Sequence, residues 1–272
     1  LGTNLSTLHA GKSRQPILRN MSNFVFDMLS TRRKKEISSL KQKKYRQKYS
    51  QFLVEGEKSV MELCHSAFDI TEILMTQRRF EQVGNKFTNQ NVLIINDKDM
   101  DQLSTQDTAS GILAVSNYKD NTQFNPEFKN RFTIMLDGIS DPGNLGTIIR
   151  TGDWFGIDTV ICSPDCVDFY NPKTIASTMG SFTRVNVMYT TLESILKQAN
   201  VPAFACVMNG DSINKLEAVN EGIIVIGNEA NGISDSVIDL CKYKITIPKI
   251  GNAESLNAAI ATAIICNKMV NG

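Results

Sequence analysis

The 272-residue chain reads as an α/β protein: a mainly parallel sheet with helices on both faces, preceded by a smaller α/β unit. Three observations predict this. Short apolar runs alternate with helix-length segments along most of the chain. One polar stretch, NYKDNTQFNPEFKNR, interrupts that alternation near the middle. No apolar run approaches the roughly 20 residues needed to span a bilayer, and 42% hydrophobic with 21% charged residues suits a chain that buries a real core.

In the first half, Phe52–Val54, Ile70–Met75, Val92–Ile95 and Ile112–Val115 have the length and composition of strands. Helical segments near Glu57–Cys64, Arg78–Val83 and Lys98–Leu103 separate them. Residues 31–117 are therefore one domain, 118–131, interrupted by Pro126, a linker, and 132–272 a second domain. There Phe132–Asp137 reads as a buried strand, and the turn GISDPG leads into a helix from Asn144, which can cap it, to about Phe155. Strands at Thr159–Cys162, Val185–Tyr189, Ala203–Val207, Ile223–Ile226 and Lys244–Ile247 follow, with helices at Pro172–Met179, Leu192–Gln198 and Asp235–Cys241 between them. A last helix carries Leu256, Ala259, Ile260, Ala263 and Ile264 as an apolar stripe at helical spacing, with Ser255 placed to cap it. Strands separated by helices of this length imply parallel pairing.

Residues 1–30 are set apart as a leader or disordered N-terminus; the first 20, before Met21, lack the apolar region of a secretory signal. Six cysteines in so long a chain are no disulfide scaffold. Cys162 and Cys166 have the spacing of a metal-binding pair, but a closed zinc site needs four ligands, and His9 and His65 lie far away in sequence. Free thiols in a reducing cytoplasm, and no metal, are the expectation.

The net charge of +1 conceals an asymmetry: residues 1–60 hold 13 Lys or Arg against 4 Asp or Glu. Nine of those cations fall between Arg32 and Lys48, with Glu36 the one acid among them. Such a block repels itself unless solvent or a polyanion neutralises it. Arg32, Arg33, Lys34, Lys41, Lys43, Lys44 and Arg46 are the candidate phosphate-binding residues. Tyr45 and Tyr49, one helical turn apart, share a face and are placed to pack or stack.

Three stretches of the second domain carry more than packing information: LDGISDPGNLGTIIR, IIVIGNEANGIS and ITIPKIGNAESLNAAIATAI. Each joins a strand to a glycine-containing loop, the place where α/β sheets gather ligands. The phosphate-loop pattern and the three-glycine dinucleotide fingerprint are both missing, which argues against an NTPase and an ordinary nicotinamide enzyme.

In order and content the three stretches resemble the signature motifs of the SpoU, or TrmH, branch of the SPOUT RNA methyltransferases. The first matches through Asn144, Gly146 and Arg150, the second through Gly227, Glu229 and Gly232, the third through Pro248, Gly251, Ser255, Leu256 and Asn257. Upstream, KKYRQKYSQFLVEGEKSVMEL is similar to the substrate-binding domain of many members. Lys249 stands where an apolar residue is more usual, and Ala258 and Ala259 make the start of the last helix smaller. The resemblance implies a parallel-sheet catalytic domain with a deep trefoil knot, a homodimer, and S-adenosyl-L-methionine held by backbone and apolar groups around Ile226, Gly227, Ile247, Pro248, Gly251 and Leu256. It also implies methyl transfer to a ribose 2′-hydroxyl of RNA, ribosomal RNA being the expected substrate because members with an added N-terminal domain act there. A transfer-RNA methyltransferase of the same fold and a non-catalytic RNA-binding protein are the alternatives.

The second domain contains no histidine, which removes the commonest general base. Its polar candidates are Asn144, Arg150, Glu229, Ser255 and Asn257. A guanidinium stays protonated at any working pH, so Arg150 is read as binding a phosphate and stabilising alkoxide charge rather than as a base. Asn144, Ser255 and Asn257 are read as orienting the hydroxyl, and Glu229 as organising its loop.

Overall fold

The computed structural model describes residues 29–119 and 124–272. Most of the N-terminal segment set apart above lies outside these residues, but Leu29 is buried and Ser30 caps the first helix, so both belong to the fold.

The first half builds on strands β1 (Gln51–Glu55), β2 (Ile70–Thr76), β3 (Val92–Ile95) and β4 (Ile112–Asn117), in the order β1-β4-β2-β3. β2 and β3 are parallel; β4 runs antiparallel to β1 and β2. Alternation along the strands divides their side chains between two cores. Phe52, Val54, Ile73, Met75, Ile112 and Ala114 share one with α3 (Glu57–Cys64) and α4 (Gln77–Val83). Leu53, Leu74, Leu113 and Val115 face α1 (Thr31–Ser39) and α5 (Asp97–Leu103). Between α1 and β1 lies α2 (Lys43–Tyr49).

The second half is a six-stranded sheet of β5 (Phe132–Asp137), β6 (Thr159–Cys162), β7 (Asn186–Tyr189), β8 (Ala203–Ser212), β9 (Gly222–Gly227) and β10 (Tyr243–Thr246). Its order is β10-β8-β9-β5-β6-β7, and every pairing is parallel. Helices α6 (Pro142–Trp154), α7 (Pro172–Thr178) and α10 (Ala258–Asn271) cover one face; α8 (Leu192–Gln198) and the short α9 (Asp235–Ile238) cover the other. The α9 segment stops well before Cys241. β8 is longer than its apolar run suggests, because its pairing with β10 slips: Lys244 pairs with Ala205, yet Ile245 pairs with Asp211. The intervening residues bow out of the ladder.

Three local expectations are corrected. Helix α6 begins at Pro142, whose fixed φ suits a first helical turn, with Asp141 as its cap, so the Asn144 side chain is free for other bonds. Helix α10 is capped by Asn257 and not by Ser255. The face of α10 that packs inward is Ala258, Ala259, Thr262, Ile265, Cys266 and Met269; Leu256, Ile260 and Ile264 are exposed.

Polar as it is, the connection after β4 does not leave the halves independent. Tyr118 stacks on Tyr170 at 4.0 Å between ring centroids, and Phe52 lies 4.6 Å from the same ring. Arg184 pairs with Glu62 of the first half at 2.5 Å and with Asp153 of the second at 2.8 Å. Arg46, expected among the RNA contacts, is 2% exposed and does something else. Its guanidinium donates to Asp168 at 2.5 and 3.1 Å and to the carbonyls of Leu40 and Lys41 at 2.9 Å.

At Gly146 α6 and α7 approach closely: a β-carbon there would sit 2.4 Å from the Thr174 carbonyl and 2.6 Å from Ser177. Backbone cannot yield as a side chain does, so Gly146→Ala should cost about 1–3 kcal/mol by overpacking. Urea unfolding of the variant tests this, and an unchanged midpoint would refute the close approach.

Candidate cofactor pocket and active site

A parallel sheet delivers the carboxyl ends of its strands to one edge, so the loops after β5, β9 and β10 meet there. Beside them opens a cavity of about 880 Å³, lined by Cys206–Met208 of the bowed part of β8, the loop after β9, residues 246–251 and 253–256, and Ala258, Ala261 and Ile265 of α10. The six residues expected to hold a cofactor, Ile226, Gly227, Ile247, Pro248, Gly251 and Leu256, all line it. Ser255 lines it too, exposed.

The loop after β9 is a tight return. Asn228 and Gly232 exchange backbone hydrogen bonds of 3.0 and 2.9 Å, with Gly232 at φ +70°. A β-carbon on Gly227 would lie 2.2 Å from the Gly232 backbone, so glycine is required for the chain to fold back on itself. Asn228 accepts from the amides of Ala230 and Asn231 and donates to the Gly138 carbonyl at 2.7 Å. Asp137 accepts from the Ser234 amide and hydroxyl, both at 2.8 Å. Sequence reasoning passed over Asn228 and Asp137; their signal was an Asx-type turn residue and an acid at a strand's carboxyl end.

The three loops are joined by one run of side chains. The Asn257 Oδ1 accepts from the amides of Ala259 and Ile260, capping α10, while its Nδ2 donates to Asn144 Oδ1 at 2.9 Å. The Asn144 Nδ2 in turn donates to the Glu229 carboxylate. Asp141, which positions Asn144, accepts from the Asn144 amide at 2.8 Å and pairs with Lys173 at 3.3 Å. The Asn144 amide, aided by Lys173, holds the Asp141 carboxyl below its usual range against a smaller opposing effect of burial.

Arg150 stands apart. It is exposed on α6, does not line the cavity, and has no hydrogen bond or ion pair among the described residues. Trp154, one turn on, is 84% exposed. Cys162 and Cys166 are buried free thiols, and no cluster among the described residues could hold a metal ion. No helix among them is long and apolar enough to cross a membrane.

The expected basic surface is also divided. Arg33 pairs with Glu36 and Glu72, Lys34 with Asp99, and Arg46 with Asp168. Arg32 and Lys41 are exposed but engaged, Arg32 with Glu36 at 3.0 Å and Lys41 with the Gln102 carbonyl at 2.9 Å. Lys43 and Lys44 are exposed beside Tyr45 and Tyr49, whose rings lie nearly parallel with centroids 6.4 Å apart.

The two roles of Asn257 are separable. Asn257→Ala removes the α10 cap and should cost about 1 kcal/mol, whereas Asn257→Asp keeps the cap oxygen and should stay within about 0.5 kcal/mol of the parent. Denaturant midpoints of both variants decide it; equal losses would mean that the bond to Asn144 carries the stability instead.

Comparison with known proteins gives a coherent picture. The sequence model of the SpoU rRNA Methylase family matches residues 131–267, and that of the MRM3-like substrate binding domain matches residues 32–114. The chain is 30% identical over 238 residues to the 23S rRNA (guanosine(2553)-2'-O)-methyltransferase RlmP of Bacillus subtilis, covering 85% of this chain and 93% of that one. An AdoMet-bound rRNA methyltransferase from Sinorhizobium meliloti superposes with a TM-score of 0.78 at 26% identity, over 90% of this chain and 96% of that one. The SpoU methyltransferase AviRb of Streptomyces viridochromogenes, in complex with AdoMet, shares the fold with a TM-score of 0.79 at 21% identity, over 89% of this chain and 98% of its own. Matched along half its length by the family's model and nearly end to end by such a relative, the chain belongs to the SpoU rRNA Methylase family.

Proposed function

We propose that the protein transfers a methyl group from S-adenosyl-L-methionine to a ribose 2′-hydroxyl of ribosomal RNA. The observation that carries this is the joining of three loops beside one cavity by Asn257, Asn144 and Glu229. The substrate is supported by the name of the Bacillus subtilis relative, a 23S rRNA 2'-O-methyltransferase, and the cofactor by the AdoMet-bound Sinorhizobium meliloti structure.

The cavity suits such a cofactor. Its walls include Ile226, Ile247, Leu256 and Ile265, and its glycines leave backbone groups open to a ligand. When bound, S-adenosylmethionine supplies the activated methyl group. The chain's own residues have to orient the hydroxyl and offset charge as its proton leaves. Asn144, Ser255 and Asn257 orient the ribose; Glu229, bonded to Asn144, organises the loop after β9. Arg150, exposed and unpaired among the described residues, binds a phosphate and stabilises the developing alkoxide.

Arg150 reaches a reaction centre in a homodimer. Trp154 shares its face of α6, and Ile260 and Ile264 of the adjoining α10 are 54% and 38% exposed, an apolar area suited to a second copy. A trefoil knot is the expectation for this family, and the segment that would form it is the one that leaves edge strand β10 and returns to pack α10 on α6. The exposed Arg32, Lys41, Lys43 and Lys44 supply salt-dependent affinity for RNA.

Arg150→Ala should lower methyl transfer at least a hundredfold while calorimetric affinity for S-adenosylmethionine holds; wild-type turnover would remove Arg150 from the mechanism. Leu256→Glu should weaken cofactor binding at least tenfold, and unchanged affinity would move the pocket elsewhere. Trp154→Glu combined with Ile260→Glu should give a monomer by light scattering. Nuclease digestion and mass analysis of labelled rRNA should find the methyl group on ribose; a methylated base, or labelling of transfer RNA alone, would overturn the substrate.

A further inference from the structure

The first domain holds a second concave site. β2 and β3 are its one parallel pair, and the helices that follow them leave on opposite faces of the sheet: α4 joins the core with Phe52 and Met75, α5 the core with Leu53 and Leu74. Helices that diverge beyond the carboxyl ends of neighbouring parallel strands open a crevice, the position where α/β sheets bind ligands. A cleft of about 270 Å³ lies there. That is just below the roughly 300–1,000 Å³ of ordinary small-molecule sites, a size for one heterocycle.

Its two walls differ in chemistry. On α4 stand Arg78, Arg79 and Gln82; on α5 stand Asp97 and Asp101, one turn apart. Arg78, Asp97 and Asp101 are exposed and have no hydrogen bond or ion pair among the described residues. Arg79 pairs with Glu57 at 2.7 Å and donates to Gln82 at 3.1 Å, but its Nε is buried with no partner.

The loop that closes the cleft, residues 104–110, is built in advance. Glu55, 6% exposed at the end of β1, accepts from the Ser104 and Thr105 hydroxyls at 2.8 Å, the Thr105 amide at 2.7 Å, and the Ser110 amide and hydroxyl at 3.2 and 3.4 Å. Burying a carboxylate is costly unless it is fully bonded, and here the bonds fix a loop rather than a core. Gly111 follows at φ +76°, where a β-carbon would press on Arg79 and Thr76.

We infer that this cleft binds one unpaired guanine of the RNA substrate, with arginine on the O6/N7 edge and the α5 carboxylates accepting from N1–H and N2–H. Guanine is the base that offers adjacent acceptors to one wall and adjacent donors to the other, and single-stranded bases are how proteins read RNA sequence. The inference rests on the RNA reading above.

The test is fluorescence anisotropy of the full chain with dye-labelled single-stranded RNA hexamers that differ only in one central base. The guanine hexamer should bind at least fivefold tighter than its adenine, cytosine and uracil counterparts. Arg78→Ala and Asp101→Ala, at residues without partners and so without a folding penalty, should each abolish that preference. Lys43→Ala with Lys44→Ala should weaken all four hexamers alike. Equal binding of the four by the parent chain, or a preference that survives both cleft variants, overturns the guanine site while leaving the methyltransferase reading intact. No binding of any RNA overturns both.

Discussion

Three loops that belong to strands far apart in sequence depend on one carboxamide. Asn144 accepts from Asn257 and donates to Glu229, so the first loop holds the second with one atom and the third with another. A hydrogen bond of this kind contributes only about 1 kcal/mol net, too little to hold a fold together. Its value is geometric: the sheet brings the loop ends to one edge, and the amide fixes their separation. That works only because Asp141 takes over the capping of α6 and leaves the Asn144 side chain unused by its own helix.

The same economy appears where the two halves meet. Arg46 spends its donors on Asp168 and on two carbonyls of the turn between α1 and α2. Removing one member of a buried pair costs about 3–5 kcal/mol, because the other is left charged and unpaired. Aromatic packing of Phe52, Tyr118 and Tyr170 surrounds this contact, and burial together with the Asp168 charge pushes the Tyr118 hydroxyl pKa up. Relative motion is the default for domains joined by a small polar interface; a shared apolar core with a buried ion pair opposes it. The exposed lysines of α2 therefore stand at a set distance from the cofactor cavity.

How legible all this was depends on the range of the interaction. Strands and helices that follow periodicity were read within a residue or two: Glu57–Cys64, Thr159–Cys162 and Leu192–Gln198 stand as expected. The slip in β8 was not visible, because it arises from pairing with β10 and not from any residue in the run Ala203–Val207. The caps were misplaced for a related reason: Asn144 and Ser255 are both good capping types, and only the actual path of the backbone selects Asp141 and Asn257. Charge misled most. Composition shows that Arg33, Lys34 and Arg46 are cations, but their partners Glu72, Asp99 and Asp168 lie 39 to 122 residues away. A basic block in sequence is thus partly a set of internal ion pairs in space.

What is left free then becomes informative. Apart from Arg150, the candidate catalytic groups are two amides, a hydroxyl and a carboxylate already engaged by Asn144, and residues 132–272 hold no histidine. Under the proposed function none of these candidates is suited to take a proton early. That arrangement fits a reaction in which the cofactor would supply a sulfonium methyl group. The S–C bond would break as the O–C bond forms, the thioether would leave, and the hydroxyl proton would pass to water, with orientation supplying much of the rate. A permanent cation is then more useful than a base, since it favours the alkoxide without having to titrate. Arg150 meets that requirement only if something brings it to the cavity, because its own chain leaves it on an exposed face beside Trp154. In the proposed homodimer the apolar area on α6 and α10 and the isolated guanidinium become one feature: the surface that would join two copies is also the surface that would complete the site.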